Sequence, residues 1–393
     1  MLPAVIASLI ALIGISPYSL ADPRLIFALM FTLTAIYAHQ KNGEYSRFLI
    51  TATILSGLAC FMERDIVYAA IFVSFFHEFR RSPLWDIPIY SFAGAVFFSI
   101  YSFLNNLIVP IPNIMFIALA GGLSAALMES IKTEADKRVL VLIALATVFA
   151  IFKIYIPSAS LESLAIAFAI SFVLSLMALK AGIADESGLM SATLIGTITI
   201  LFTNLKFFAI LLFFYLLGSA ITKYKYSLKA NLGIEEPSGG ARGFSNVFGN
   251  SLAPLFFVMH YGVNREEIFA FAFIASVATA LGDTMASEIG KTAKNVYLIT
   301  NFKRVAPGTN GGISLIGEMG ALLGCILVSI LAFVLGVLPL DYFLPVIVSG
   351  FIAIHIDSLL GATLEIKGYL NNSGVNFLAT LFGGFVCLLF LYY

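Results

Sequence analysis

The sequence contains little charge. Only 11% of its 393 residues are Asp, Glu, Lys or Arg, whereas 60% are hydrophobic and the mean hydropathy is +0.99. Because a soluble domain has roughly a quarter charged residues, this composition excludes an ordinary water-soluble fold and indicates a protein of the lipid bilayer. The 22 basic and 22 acidic residues balance, so the chain has no excess positive charge and nucleic acid is not an expected partner.

Cysteine is also scarce. Cys60, Cys325 and Cys387 lie far apart within apolar runs, without a CxxC or Cys/His spacing. This pattern argues against a metal or redox centre, and we interpret the three residues as small buried hydrophobic side chains.

Long apolar runs are abundant and predict an all-α, polytopic membrane protein with about 13 to 15 transmembrane segments, since a spanning helix needs about 20 apolar residues. No alternating strand pattern typical of a membrane barrel recurs. The runs cover residues 2–20, 24–39, 49–62, 66–78, 87–109, 113–131, 138–155, 160–181, 187–203, 206–222, 244–262, 267–290, 311–338, 343–364 and 374–393. Two of them, 49–62 and 66–78, are short enough to be re-entrant or to lie behind other helices.

The basic residues are distributed asymmetrically. If every run spans the membrane, only Arg24, Arg64, Lys153, Lys206 and Arg265 of the 22 basic residues fall on one side. The positive-inside rule places the other side in the cytoplasm, together with the polar segments 184–188, 222–243, 291–312 and 365–374. A polar stretch at 157–160 predicts two domains, 1–157 and 158–393.

Asp283 lies within the apolar run 267–290. An acidic residue in a membrane segment costs about 2.5–3.5 kcal/mol, so it is expected to face a polar cavity. Gly282, Ala286 and Gly290 recur at helical spacing beside it and allow the close approach of a helix or a ligand. The alternative is a helix-packing motif that contains a buried, hydrogen-bonded aspartate.

A glycine-rich segment follows and leads into the next apolar run. Its polar and small residues are Gly308, Thr309, Asn310, Gly311, Gly312 and Ser314. A glycine-rich loop before a helix N-terminus presents amide donors to phosphate, and Lys303 with Arg304 adds positive charge. The segment contains no Walker A motif, and a purely structural turn is the alternative.

Asp357, Gly361 and Glu365 repeat at a spacing of four at the end of another run. Two aspartates at one membrane face can bind Mg²⁺, which needs only one or two carboxylates when water and phosphate complete its coordination. The alternative is an Asp357 that pairs with a buried lysine or with His355, to which we assign no role.

Arg242 lies between small residues before an apolar helix that carries Asn246 and Asn250. This placement suits bidentate binding of a phosphate. Lys225 and Lys229, earlier in the same polar segment, are expected to satisfy membrane topology or to contact lipid headgroups.

Together these segments resemble the phytyl-phosphate kinase family of integral membrane proteins, which includes transmembrane protein 19 and was long described as a domain of unknown function. The resemblance covers about residues 160–393. It rests on Arg242-Gly243 with Asn246 and Asn250, Gly282-Asp283-Thr284 with Ala286-Ser287-Glu288 and Gly290-Lys291, Pro307 to Gly312 with Ser314, and Asp357 to Ala362. The same plan is similar to that of the CTP-dependent polyprenol, phytol and dolichol kinases and of the CDP-lipid synthases.

The resemblance implies Mg²⁺-assisted phosphoryl transfer from CTP to a prenyl monophosphate, such as phytyl or geranylgeranyl phosphate, at the cytoplasmic face. The catalytic residues would be Asp283, Asp357, Arg242 and Lys303. The metal ligands would be Asp283, Asp357 and Glu288; the nucleotide would contact Lys291, Lys303, Gly308, Thr309, Asn310, Gly311, Gly312 and Ser314; and the prenyl phosphate would contact Lys223, Arg242, Asn246 and Asn250. A CDP-lipid synthase, a polyprenol kinase, a transporter of a polar anion and a non-enzymatic lipid-binding scaffold are the alternatives.

The N-terminal half is only weakly similar to a polyprenol kinase, through residues 76–81 and Gly94-Ala95. Where such an enzyme carries a Gly-Asp-x-x-Ala-Ser helix, this chain has Ala126-Leu127-Met128-Glu129-Ser130. We therefore expect a packing or lipid-binding role, or a degenerate duplicate, with Glu129 as the residue of interest.

Overall fold

The computed structural model describes residues 1–17, 22–38, 45–61, 63–236 and 240–392. Regular structure in these ranges is almost entirely helical, with three short strands, and the predicted all-α, polytopic architecture is confirmed. The predicted run ends at 18–20, 39 and 62 lie outside the described residues.

Eight helices in the described ranges are long and apolar enough to cross a membrane. They span Pro83–Leu104, Ile111–Ser130, Leu161–Lys180, Leu205–Thr222, Glu267–Gly290, Leu315–Val334, Leu340–Glu365 and Asn372–Tyr392. The other predicted runs form helices that are shorter or less apolar.

The chain divides into two compact units, Met1–Ala169 (unit 1) and Ile170–Tyr393 (unit 2). The division falls within helix α8 (Leu161–Lys180), and the predicted boundary lies just before that helix. Unit 1 contains α1 (Leu2–Gly14), α2 (Pro23–Ala38), α3 (Ser46–Leu58), α4 (Arg64–Ser74), a 3₁₀ turn (Phe75–Phe79), α5 (Pro83–Leu104), α6 (Ile111–Ser130) and α7 (Lys137–Ile154).

Unit 2 carries the motifs singled out above. Its helices are α9 (Glu186–Phe202), α10 (Leu205–Thr222), α11 (Tyr226–Leu232), α12 (Phe244–Asn264), α13 (Glu267–Gly290), α14 (Leu315–Val334), α15 (Phe343–Leu360) and α16 (Asn372–Tyr392). A π-helical turn, Gly361–Glu365, follows α15. Between α13 and α14 the chain forms a small antiparallel sheet of β1 (Val296–Leu298), β2 (Arg304–Val305) and β3 (Gly312–Ile313), in the order β2-β1-β3. The glycine-rich segment is therefore supported by a sheet that hydropathy does not predict.

Helix α13 lies at the centre of unit 2. It packs against α10, α12, α14, α15 and α16, which explains why its residues Ala270 to Gly282 are apolar or small on every side and buried. At one face, α14 approaches closely enough that a Cβ on Gly324 would lie 2.6 Å from the Gly282 Cα. Gly282 thus allows the close packing of α13 and α14, whereas Ala286 and Gly290 of the same stripe line the cavity described below.

Candidate functional site

A cavity of about 580 Å³ lies at one end of unit 2. It is surrounded by the beginnings of α12, α14 and α16 and by the ends of α13 and α15, because successive helices run in opposite directions. The segment before α12, residues 233–236 and 240–242, and the glycine-rich segment 308–314 complete its wall. Three of the four polar segments that the sequence singled out, 222–243, 291–312 and 365–374, therefore contribute to one cavity.

Asp283 on α13 and Asp357 on α15 meet in this cavity, where their carboxyl groups interact directly. Asp283 lies about two helical turns, roughly 10 Å, from the end of α13. The Oδ2 atom of Asp357 is buried and has no hydrogen-bond partner. None of the ion pairs in the described part of the chain includes either aspartate. Two neighbouring, half-buried carboxylates that join no ion pair favour a shared proton or a bound cation.

The aspartate pair fits Mg²⁺ in chemical type. The ion prefers oxygen ligands and takes one or two carboxylates when water and substrate phosphates complete its octahedron. Across the described residues, no group of three or more His, Cys, Asp or Glu side chains is arranged to hold a metal, so any such ion would depend on its substrate for further ligands.

Glu288, the third predicted metal ligand, does not join the pair. Its Oε2 accepts a hydrogen bond from Lys229, and its Oε1 accepts one from Lys291 at 2.7 Å. Five residues along a helix rotate a side chain by about 140°, so Glu288 points away from the direction of Asp283. The structure assigns it to two lysines instead of a metal.

Arg242 is held by its backbone and by aromatic rings. Its N–H donates to the Ile183 carbonyl oxygen at 2.8 Å. Its guanidinium lies over the rings of Phe214 and Tyr215, with its carbon 5.2 and 5.6 Å from the ring centres. Gly218 makes room for it, since a Cβ there would lie 2.6 Å from Nη2. Sequence and packing together therefore fix this cation at the cavity wall.

The guanidinium of Arg242 has donors to spare. Nη1 donates to Asn246 Oδ1 at 3.1 Å, but none of the ion pairs found among the described residues involves this side chain. The residue is only 7% exposed, and burial lowers the pKa of Arg242, although arginine stays charged in proteins. A buried guanidinium without a carboxylate partner, facing a cavity, is suited to a bound anion.

Lys291 supplies a second cation to the cavity. Its ammonium donates to Glu288 Oε1 at 2.7 Å and to Glu236 Oε1 at 2.9 Å. Burial opposes the charged form, but the two carboxylates outweigh it and raise the pKa of Lys291. The side chain therefore remains an ammonium near neutral pH.

The predicted glycine-rich residues all line the cavity: Gly308, Thr309, Asn310, Gly311, Gly312 and Ser314. Gly311 has a φ of +74°, and a Cβ there would lie 2.5 Å from the Ser358 carbonyl oxygen, so only glycine fits against α15. Ser314 caps α14 by accepting a hydrogen bond from the Gly317 N–H at 3.2 Å. The segment thus leads into the positive end of the α14 dipole.

Two predicted site residues are not brought to the cavity. Lys303 is exposed in the turn between β1 and β2 and is not among the described residues that line the cavity. Lys223 is exposed just beyond the end of α10, whereas its neighbour Thr222 lines the cavity. Neither lysine can be assigned to the site from its position. Asn246 and Asn250 do line it, and the Asn250 amide donates to the Asn246 carbonyl oxygen at 3.0 Å.

The sequence interpretation missed other cavity residues. They are Glu235, Glu236, Glu318, Asn372 and Asn376. Glu318 pairs with His355 at 3.1 Å, so His355 has a partner other than Asp357. A polar residue at the first turn of an apolar helix was the available signal for Glu318 and for Asn372.

Carboxylates outnumber basic side chains around the cavity. The described residues that line it include two basic side chains, Arg242 and Lys291. The acidic ones are Asp283, Asp357, Glu235, Glu236, Glu288, Glu318 and Glu365. A polyphosphate entering this cavity would be repelled unless it brought cations with it.

These features define a polytopic membrane protein with a charge-lined cavity at one end of a helical unit. The chain belongs to the family described as integral membrane protein DUF92, which matches residues 169–384. The resemblance drawn from the motifs is confirmed at this level.

Several relatives align with about half of the chain. The uncharacterized membrane protein MJ0933 of Methanocaldococcus jannaschii is 32% identical over 217 residues, 54% of this chain and 88% of the relative. Protein VTE6, chloroplastic, of Arabidopsis thaliana is 32% identical over 227 residues, 56% and 68% of the two chains. Protein PGR of the same plant is 28% identical over 272 residues, 55% and 92%. No solved structure gives a significant match.

Proposed function

We propose that unit 2 is a phosphotransferase that moves the γ-phosphoryl group of CTP to a prenyl monophosphate. The observation that carries the proposal is the meeting of three elements in one cavity: an aspartate pair without a protein cation, an arginine without a carboxylate partner, and a glycine-rich segment before a helix. Family membership of residues 169–384 supports it.

The chemistry needs few groups. A phosphate monoester has a second pKa of about 6, so near neutral pH its oxygen is already an anionic nucleophile. That oxygen attacks the γ-phosphorus, the bond from γ-phosphorus to the bridging oxygen breaks, and CDP leaves as the prenyl diphosphate forms. No proton is transferred, and catalysis consists of positioning and neutralising charge.

Each wall of the cavity then has a role. Arg242 with Asn246 holds the acceptor phosphate, and the glycine-rich segment, the α14 N-terminus and Lys291 hold the donor phosphates. Asp283 and Asp357 would hold Mg²⁺, which neutralises phosphate charge when bound. The excess of carboxylates supports a donor that enters together with such a cation.

The prenyl tail would stay beside the apolar helices α9 and α12, in surroundings like the bilayer. Each buried CH₂ group contributes about 0.8 kcal/mol, so affinity is expected to rise with chain length.

A cytidylyltransferase of the CDP-lipid synthase type would use the same groups and differ only in the phosphorus attacked. A transporter is less favoured, because transporter sites lie near the bilayer midplane whereas these residues gather at one end of the helices.

We propose that this end faces the cytoplasm, where nucleotides are available. In a variant without native cysteines, single cysteines at the exposed positions 223 and 301 should react with an impermeant thiol reagent only after the membrane is opened. Labelling of intact cells at either position would contradict this orientation.

The function is tested with purified full-length protein, Mg²⁺, CTP and prenyl monophosphates of several chain lengths, with the diphosphate product detected by mass spectrometry. We expect product with the wild type and with Lys303→Met, whose side chain lies outside the cavity, but not with Asp283→Asn. Equal turnover by Asp283→Asn would contradict the assigned site, and absence of product with every prenyl phosphate would contradict the function.

A further inference from the structure

Lys229 is the most unusual charged residue outside the groups already assigned. It lies on the short helix α11 and is 0% exposed. Its ammonium donates to the Thr222 carbonyl oxygen at 2.6 Å and to Glu288 Oε2. The sequence predicts that it satisfies membrane topology or contacts lipid headgroups, whereas in the structure it is buried against Glu288.

The buried pair continues to the cavity. Glu288 uses its second oxygen for Lys291, whose side chain is 16% exposed and lines the cavity. The order is therefore Lys229, Glu288, Lys291, from the buried interior of unit 2 to the site. Without Lys229, a buried carboxylate would face Lys291 alone, and Lys291 would be drawn toward Glu288 and away from a ligand.

We propose that Lys229 is a positioning residue that, through Glu288, holds the Lys291 ammonium at the place where it meets the phosphates of the nucleotide. Lys229 contacts the inner oxygen of Glu288, so the outer oxygen directs Lys291 from one side, while Glu236 contacts the same ammonium at 2.9 Å. This inference deepens the proposed function and rests on its assignment of Lys291 to the donor.

A purely structural role must be separated from this one. Replacing a buried ion pair by apolar residues of similar size is often neutral or stabilising, whereas removing one partner is strongly destabilising. The double variant Lys229→Met with Glu288→Met leaves the net charge unchanged and keeps the space filled. It should fold, but its Lys291 has lost the Glu288 anchor.

The experiment measures binding of Mg²⁺ with CTP by titration calorimetry, together with thermal unfolding of each purified variant. We expect Lys291→Met and the Met/Met pair variant each to weaken nucleotide binding by about ten-fold, as expected for one charge-assisted hydrogen bond. Adding Lys291→Met to the pair variant should cost nothing further, because residues that act through one another are not additive. Lys223→Met, an exposed lysine nearby, is the matched control and should leave binding unchanged.

Two results would overturn the proposal: a pair variant that unfolds normally and binds nucleotide as the wild type does, or losses that add in the triple variant. If wild-type protein binds Mg²⁺ with CTP but transfers nothing, the proposed function fails while the positioning role of Lys229 stands. If the pair variant does not fold, Lys229→Gln combined with Glu288→Gln removes both charges and keeps hydrogen-bonding groups: a ten-fold loss of affinity at unchanged unfolding temperature supports the role, and unchanged affinity contradicts it.

Discussion

The two units bury charged residues in different ways. In unit 1, Glu129 pairs with His77 at 2.6 Å and Asp65 pairs with Lys153 at 2.7 Å, whereas the buried Asp86 accepts a hydrogen bond from the Arg81 N–H at 3.0 Å. In unit 2, Asp283 and Asp357 meet each other, and Arg242 meets rings and an amide. Charges that are satisfied internally hold a structure together, whereas charges left without partners at a cavity indicate a ligand. We therefore expect binding chemistry in unit 2 and a structural role for Glu129 and Asp65 in unit 1.

The largest expected effect concerns the aspartate pair. Asp283→Asn or Asp357→Asn should reduce transfer by about 100- to 1000-fold, as for the loss of a preorganised electrostatic group. Each change also relieves repulsion between neighbouring carboxylates, so the thermal unfolding temperature should stay equal or rise. Transfer assays and unfolding scans on the same preparations check both parts. A variant that is less stable but retains its transfer activity would mean that the aspartate pair holds the structure together instead of binding a ligand.

Glu129→Gln in unit 1 should behave in the opposite way. It removes the charge of a buried carboxylate whose Oε1 contacts His77 and accepts a hydrogen bond from Tyr90. We expect the free energy of unfolding to fall by about 3 kcal/mol, with turnover per folded molecule unchanged. A stable variant that has lost turnover would show that unit 1 takes part in the reaction.

These contrasts also show what the sequence could predict. Hydropathy predicts the helices, and polar residues within apolar runs predict Asp283, Arg242 and the glycine-rich wall, because membrane burial of a polar group is costly enough to demand a reason. Lys303 stays outside the cavity because a three-stranded sheet turns the loop, and such short strands leave no hydropathy signal. Lys229 was misinterpreted because its partner lies 59 residues away in the chain. That Glu288 points away from Asp283 could have been predicted from helix geometry alone.

Arg242→Lys tests whether the acceptor phosphate and the donor phosphates bind at different walls of the cavity. Lysine keeps the charge but loses the planar fork and the stacking on Phe214. We expect kcat/KM for the prenyl phosphate to fall by about ten-fold or more, with little change in nucleotide binding. Kinetics with each substrate varied in turn decide the point. A selective loss of nucleotide affinity would mean that the donor and acceptor walls are exchanged.

The smallest expected effect is a gain in nucleotide binding, whereas the variants above lose activity or stability. Glu236 pairs with Lys291 and is partly exposed. Burial alone would raise the pKa of Glu236, but Lys291 lowers it, so the carboxylate is charged near neutral pH and competes with phosphate for the lysine. Glu236→Gln should strengthen nucleotide binding by up to about five-fold, the range of an exposed ion pair. Weaker binding in a calorimetric titration would mean that Glu236 positions Lys291 instead of competing for it.

We propose above that unit 2 transfers the terminal phosphoryl group of CTP to a prenyl phosphate at its cavity. The most direct measurement compares CTP labelled at the α- or the γ-phosphorus, in parallel reactions of wild-type protein with Mg²⁺ and phytyl phosphate, and follows the label into the lipid. We expect only the γ-label to enter the lipid, as a diphosphate, and labelled CDP to accumulate from the α-labelled donor. Entry of the α-label into the lipid with release of pyrophosphate would contradict the account and identify a cytidylyltransferase.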